Sequence, residues 1–202
     1  MLRKSQKFYL FWKRCIDIFG SFLGIVLLSP ILLFCAIVTK CTSRGPVFFK
    51  QERIGRHEKP FKLLKFRSMR VDAPEIAPAD MSPEEQAKLV TKWGGFMRKT
   101  SLDEIPQLFN IFVGQMSFIG PRPSQGYAIE PGLIDMRRSY SPSVYEIKPG
   151  ISGYAQVVLH REHNEKKKAE CDAYYVRNFN LWLDTKLFLR TIFGIFGDEK
   201  GR

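Results

Sequence analysis

The chain has 202 residues, 45% of them hydrophobic and 13% aromatic, which is ample for one folded core and excludes global disorder. Its net charge of +12 calls for anionic partners: lipid head groups, phosphorylated substrates or nucleic acid. No zinc finger, RNA-recognition signature or helix-turn-helix pattern accompanies the charge, so nucleic acid is not an expected partner.

Cys15, Cys35, Cys41 and Cys171 form no C-x-x-C pair and no cluster with zinc spacing. A disulfide framework is not expected, and the folded part should face a reducing cytoplasm.

The first element is apolar. Ile18 to Val38 is a run of 21 positions without a charge. A signal peptide would end in a small-residue cleavage site, whereas this run ends in Thr39-Lys40-Cys41-Thr42. As a straight helix it would reach about 32 Å, enough to cross a bilayer. Two features favour instead a helix that enters the membrane and leaves on the same side. Ser29-Pro30 stands mid-run, where a proline removes a donor and bends a helix into arms too short to cross. Basic residues also flank both ends: Arg3, Lys4, Lys7, Lys13 and Arg14 before it, Lys40, Arg44, Lys50, Arg53 and Arg56 after it. Lysine and arginine favour the cytoplasmic side, and a re-entrant segment keeps both clusters there.

Arg44-Gly45-Pro46 is a turn signal, followed by a short strand at Val47-Phe48-Phe49. Arg53 to Pro60 reads as a basic hairpin turn, and Phe61 to Met69 as a strand with one wet face. The acidic stretch Val71–Glu84, with Pro74, Pro78 and Pro83, is a surface loop. A helix capped by Ser82 should run to about Arg98, with Gly94-Gly95 as a point of interruption. A second helix is expected over Leu102–Val113, a rigid turn at Gly120-Pro121-Arg122-Pro123, and a charged helix from Glu162 to Asn178. The apolar tail Leu181–Phe196 carries Lys186 and Arg190 on one edge, which suits a helix at a membrane surface or in a core. Residues 1–43 thus form a basic start and a re-entrant membrane helix, and residues 44–202 a cytoplasmic domain. The expected fold is mixed α/β, α-rich with short β-hairpins and interfacial amphipathic helices.

The segment Arg98-Lys99-Thr100-Ser101-Leu102-Asp103-Glu104 admits two readings. Ser101-x-x-Glu104 fits a capping box, with Asp103 adding favourable charge in the first turn. The same placement also suits an acidic nucleophile, since a helix start holds a carboxylate ionised and adjacent carboxylates can hold a divalent metal. Arg98 could reach a phosphate oxygen in the same site. His160 and His163 are spaced H-x-x-H, but lack a third ligand and read as a solvated face.

Thr100 to Asn110 (TSLDEIPQLFN) and Gly114 to Pro123 (GQMSFIGPRP) closely resemble the bacterial sugar transferases, the monotopic phosphoglycosyl transferases. The likeness extends to Lys65-Phe66-Arg67-Ser68-Met69, to Lys148-Pro149-Gly150-Ile151-Ser152-Gly153-Tyr154-Ala155-Gln156-Val157 and to Asp172-Ala173-Tyr174-Tyr175. The resemblance implies that a phosphosugar passes from a UDP-sugar to a polyprenyl phosphate, with loss of UMP, at the cytoplasmic face of a bacterial inner membrane. It implies Asp103 as covalent nucleophile and likelier Mg2+ ligand, and Glu104 as general base or proton relay. Lys65 and Arg98 would bind phosphate, Pro121-Arg122-Pro123 the nucleotide sugar, and Ser29-Pro30 would be the helix bend. Gln156 and Asp172 match positions near the site, and each could equally be a buried structural polar group.

After Val157 the family often continues Asn-Gly-Arg, whereas this chain reads Val158-Leu159-His160-Arg161, which puts contacts from that loop in doubt. No block of spanning helices precedes the basic start, so the chain reads as a minimal catalytic unit. Membrane lipids are expected partners and a homo-oligomer is left open. The competing reading is a membrane-anchored basic binding module without catalysis.

Overall fold

A computed structural model describes residues 1–70, 89–159 and 164–197, with side chains to residue 194. Helix α1 (Lys4–Thr42) is followed by an antiparallel hairpin of β1 (Phe48–Ile54) and β2 (Pro60–Phe66), in register from Phe48–Phe66 to Ile54–Pro60. Then come α2 (Lys92–Lys99), a 3-10 turn at Leu102–Glu104 and α3 (Gln107–Phe112). Strand β3 (Ser117–Ile119) pairs in parallel with β4 (Gly150–Ser152), and α4 (Pro131–Ser139) lies in the connection. Helices α5 (Tyr154–Leu159), α6 (Glu165–Asn178) and α7 (Leu181–Gly197) complete the chain.

Helix α1 is patterned inside out. Its buried residues are Gln6, Lys13, Asp17, Ser21, Cys35 and Thr39, a largely polar stripe at helical spacing. Its outward face carries Phe8, Phe11, Phe19, Phe22, Leu27 and Leu33, all exposed. Only 11% of its most apolar 18-residue window is covered by the rest of the molecule. Water penalises such a surface, whereas lipid matches it.

Each polar residue of the inner stripe has a partner. Gln6 Nε2 donates to the Val176 carbonyl at 3.1 Å, at the end of α6. Lys13 pairs with Asp184 of α7, whose carboxylate also accepts from Tyr9 Oη at 2.8 Å and Tyr175 Oη at 2.6 Å. Asp17 Oδ1 accepts from Ser117 Oγ at 3.0 Å and from the Phe118 N–H at 3.1 Å. These bonds fasten α1 to α6, α7 and β3.

One continuous helix runs through Ser29-Pro30. Proline at 30 leaves the Val26 carbonyl without its helical donor, and Ser29 Oγ donates to that oxygen at 2.7 Å. The serine offsets locally the bond the proline removes, worth about 1 kcal/mol.

Several expectations need correction. The β content is one hairpin plus a three-residue parallel pair, not hairpins alone. The helix expected from Ser82 begins outside the described residues. Within them, Val90 bridges Met69, and Thr91 caps a separate helix, accepting from the Gly94 N–H. That helix passes through Gly94-Gly95 without interruption. Gly94 is there for close approach, since a Cβ would lie 1.9 Å from the Ser68 carbonyl oxygen. The continuous helix expected over Leu102–Val113 is split, because Pro106 supplies no N–H and serves as the cap of α3. His160, Arg161 and His163 lie outside the described residues.

Three apolar clusters hold the domain together. Tyr175, Val176, Phe179 and Leu187 join α6 to α7; Leu63, Leu108, Ile111 and Met116 join β2 to α3; Phe66, Met97 and Cys35 join β2 and α2 to α1.

Candidate active site

Asp103 and Glu104 sit on the 3-10 turn between α2 and α3. Ser101, just before it, is left-handed at φ 57°, and its side chain caps nothing. The capping-box reading therefore fails: a cap residue needs extended backbone, and Glu104 reaches Lys65 instead of the Ser101 N–H. A non-glycine residue in that region costs on the order of 1 kcal/mol or more, a strain typical of functional turns.

Strand β2 presents Lys65 to this turn, and its Nζ donates to Glu104 Oε1 at 2.6 Å. Arg98, on the last turn of α2, donates from Nε to Ser68 Oγ at 2.8 Å, and its charge acts on Asp103. Arg122 is exposed, and its charge acts on Glu104 together with that of Arg53. Lys65, Arg98, Asp103, Glu104 and Arg122, expected from separate motifs, thus share one electrostatic neighbourhood.

Within it the two carboxylates are driven apart. Burial raises the Asp103 pKa above the ordinary aspartate value, Glu104 adds to this, and Lys65 and Arg98 only partly oppose it. Burial would also raise Glu104, but the Lys65 ammonium and its hydrogen bond, with Arg122 and Arg53, hold its pKa below the ordinary glutamate value. Opposite shifts in adjacent acids separate their chemical roles.

The Pro121-Arg122-Pro123 loop is held from three sides. The parallel pair fixes its start, with Gly150 N–H donating to the Pro121 carbonyl at 2.9 Å. Gly120 allows that contact, since a Cβ there would be 2.6 Å from the Lys148 carbonyl oxygen. Arg137 of α4 donates from Nη1 to the Arg122 carbonyl at 2.9 Å and to Ser124 Oγ at 2.6 Å. Arg53 of β1 donates from Nη1 to the Pro123 carbonyl at 3.2 Å. Burial, then the Arg122 charge, lower the Arg53 pKa to about 10.

Neither Arg53 nor Arg137 belongs to a motif that marks it as a site residue in the sequence. The Arg137 signal was its place on the buried face of α4 with Leu133 and Ile134.

Of the two places open to Asp172, a substrate contact or a buried structural polar group, the structure shows the second. Asp172 is 1% exposed and pairs with Arg137, itself 3% exposed, so it holds the arginine that holds the loop. Gln156 donates from Nε2 to the Ile151 carbonyl at 3.2 Å, and its buried Oε1 has no hydrogen-bond partner.

Among the described residues, no cluster of three His, Cys, Asp or Glu side chains could enclose a metal by itself. Mg2+ needs less than that from a protein, commonly one or two carboxylates completed by substrate phosphate and water. Asp103 fits such a role: it is 8% exposed, and among the described residues no other side chain donates a hydrogen bond to its carboxylate.

These features define a class of protein: an acidic pair ringed by cations, on a domain bearing a helix whose apolar side faces outward. The chain belongs to the bacterial sugar transferase family, whose model matches residues 8–198. It is 39% identical over 199 residues to a UDP-glucose:undecaprenyl-phosphate glucose-1-phosphate transferase of Klebsiella pneumoniae, covering 90% of this chain and 39% of that one. It is 38% identical to a UDP-N-acetylgalactosamine-undecaprenyl-phosphate N-acetylgalactosaminephosphotransferase of Aeromonas hydrophila, covering 91% of this chain and 43% of that one. An exopolysaccharide production protein of Rhizobium leguminosarum bv. phaseoli is 33% identical, covering 94% of this chain and 97% of that one. The chain thus spans about two fifths of the first two relatives and nearly all of the third.

Proposed function

We propose that this protein is a phosphoglycosyl transferase that moves a sugar phosphate from a UDP-sugar to a polyprenyl phosphate through a covalent Asp103 intermediate. The observation that carries the reading is the Asp103-Glu104 turn with Lys65 Nζ bound to Glu104 Oε1 at 2.6 Å and the charges of Arg98, Arg53 and Arg122 acting on the pair. Such a set of cations suits a diphosphate, whose charge they neutralise and orient.

In the first step an Asp103 oxygen attacks the sugar-bearing phosphorus. A carboxyl–phosphorus bond forms, the phosphoanhydride breaks, and UMP leaves with the bridging oxygen and its electron pair. In the second step a phosphate oxygen of the polyprenyl phosphate attacks the same phosphorus and releases the Asp103 carboxylate. Burial makes ionised Asp103 less well solvated, and hence a better nucleophile once the donor's charge is neutralised. Lys65 is shared. Donor phosphate competes with Glu104 for its ammonium, and the freed carboxylate becomes basic enough to take a proton from the incoming acceptor. Mg2+ at Asp103 would supply charge neutralisation at the diphosphate. The Pro121 and Pro123 rings limit the freedom of Arg122 before substrate binds, so little ordering is left to bear.

The chain would work as a monotopic protein at the cytoplasmic face of a bacterial inner membrane, with α1 dipping into one leaflet. The outward apolar face of α1, the basic residues on both flanks and the Ser29-Pro30 pair support this. Incubation with a panel of UDP-sugars, magnesium and polyprenyl phosphate should release UMP with one donor class. A binding module would release none.

A further inference from the structure

Away from the acidic pair, Arg14 and Lys148 meet where α1 begins its apolar run, and Arg56 acts on Lys148. Arg14 donates from Nη1 and Nη2 to the carbonyls of Ile111 and Phe112 at 2.7 Å and 2.8 Å, closing the end of α3. Lys148 comes to the same point from the strand β4 side. A Cβ on Gly114, which has φ +90°, would lie 3.1 Å from Arg14 Nη2 and 3.3 Å from Lys148 Nζ. The charge of Arg56 also acts on Lys148, while its Nε donates to the Glu146 carbonyl at 2.9 Å.

The anion facing this group is Asp17, and its Oδ1 is already taken by Ser117 and Phe118. Lys148 Nζ makes no hydrogen bond or ion pair among the described residues. Its pKa is lowered by burial and by Arg14, with Asp17 opposing. Asp17 is one carboxylate facing three cations, and half-buried positive charge in excess of its counter-charge is costly unless a ligand supplies the remainder.

The position indicates which anion. Phe112 and Val113, adjoining Gly114, are exposed, Val113 by 65%. The Phe112 ring lies 6.3 Å from that of Phe22 on α1, and Phe19 beside it also faces outward. The cations therefore lie along the border between the apolar surface and the polar domain, the level at which lipid phosphates sit. On the inner side, the Lys148 carbonyl packs against Gly120, directly before the Pro121-Arg122-Pro123 loop.

We infer that Arg14, Arg56 and Lys148 form a site for the phosphate head of a lipid lying alongside α1. The inference rests on the membrane placement proposed above and adds to it a specific headgroup contact. The phosphate is shared by two sources, the polyprenyl phosphate acceptor and an anionic phospholipid, and the test separates them.

The full chain and its Lys148→Gln variant are floated with phosphatidylcholine vesicles that carry phosphatidylglycerol, a polyprenyl phosphate, or neither. Lys166→Gln, an exposed lysine on α6, serves as the control for general charge. Lys148→Gln should weaken binding about fivefold on phosphate-enriched vesicles and leave plain vesicles unchanged. A loss confined to polyprenyl phosphate identifies the acceptor as the ligand; a loss confined to phosphatidylglycerol identifies a phospholipid; a loss on both shows a site for either. No loss, or an equal loss for Lys166→Gln, overturns the site. Among the described residues the Lys148 side chain holds no hydrogen bond whose removal would unfold the protein, and Arg56→Gln should reproduce the direction of the effect. Vesicle binding requires no turnover, so failure here is distinct from failure of the UMP assay.

Discussion

Replacing Arg137 by methionine removes the charge that compensates Asp172, a carboxylate 1% exposed. Breaking a buried pair from one side costs about 3–5 kcal/mol, because the remaining charge has neither water nor partner. Burial already raises the Asp172 pKa against the opposing Arg137 charge, so the orphaned acid should take up a proton and recover part of that loss. For a chain of this size the net effect is a fall in Tm on the order of 10 °C, read by circular dichroism in detergent. The double variant Arg137→Met, Asp172→Leu removes both charges and should melt within about 1 kcal/mol of the natural protein. Activity should not return with stability. The double variant still lacks the donors that hold the Arg122 carbonyl and Ser124 Oγ, and an ångström of drift in a positioning loop costs about a hundredfold. UMP release with kcat and KM measured separately tests this. A double variant with natural kcat/KM would show that the loop needs no such clamp, and a single variant melting like the natural protein would refute the buried pair.

Other perturbations separate the roles of the site. Asp103 has a folded pKa above its unfolded value, so its stabilising contribution is complete below the unfolded pKa and lost as pH rises through the folded one. Asp103→Asn should therefore melt at a higher temperature than the natural chain at neutral pH while turning over no substrate, and the gain should vanish in acid. The same raised pKa places the acid limb of the rate profile above the ordinary aspartate range, measurable as UMP release against pH. Lys65→Met should reduce turnover by about 10²–10³ and move the Glu104 pKa upward, visible by carboxylate NMR. Cys15 and Cys41 are exposed thiols on either side of the apolar run. A membrane-impermeant maleimide added outside spheroplasts should label neither if α1 is re-entrant, and one of them if it spans.

Local patterns were legible where local forces decide. The apolar run, the hairpin around Arg53 to Pro60 and the tail helix followed from periodicity and turn chemistry, and each is present. The Asp103-Glu104 turn was legible as a motif but not as a shape. Ser101-x-x-Glu104 satisfies a short-range rule, whereas Glu104 is claimed by Lys65 from a distant strand. Strands of three residues, as in β3 and β4, are too short to show alternation, so the parallel pair that anchors the Pro121 loop left no trace. Arg53 read only as one of the basic residues after the apolar run, and Asp172 stayed open between a site contact and a buried polar group, because sequence does not reveal which charges tertiary packing will bury.

The most direct measurement is the intact mass of the protein after incubation with its UDP-sugar and magnesium but no lipid acceptor. The protein should gain one phosphosugar, mapped to the peptide containing Asp103, discharged on adding polyprenyl phosphate and absent from Asp103→Asn. Product formed at full rate by the Asn variant, or a phosphosugar carried on any other residue, would contradict the Asp103 intermediate.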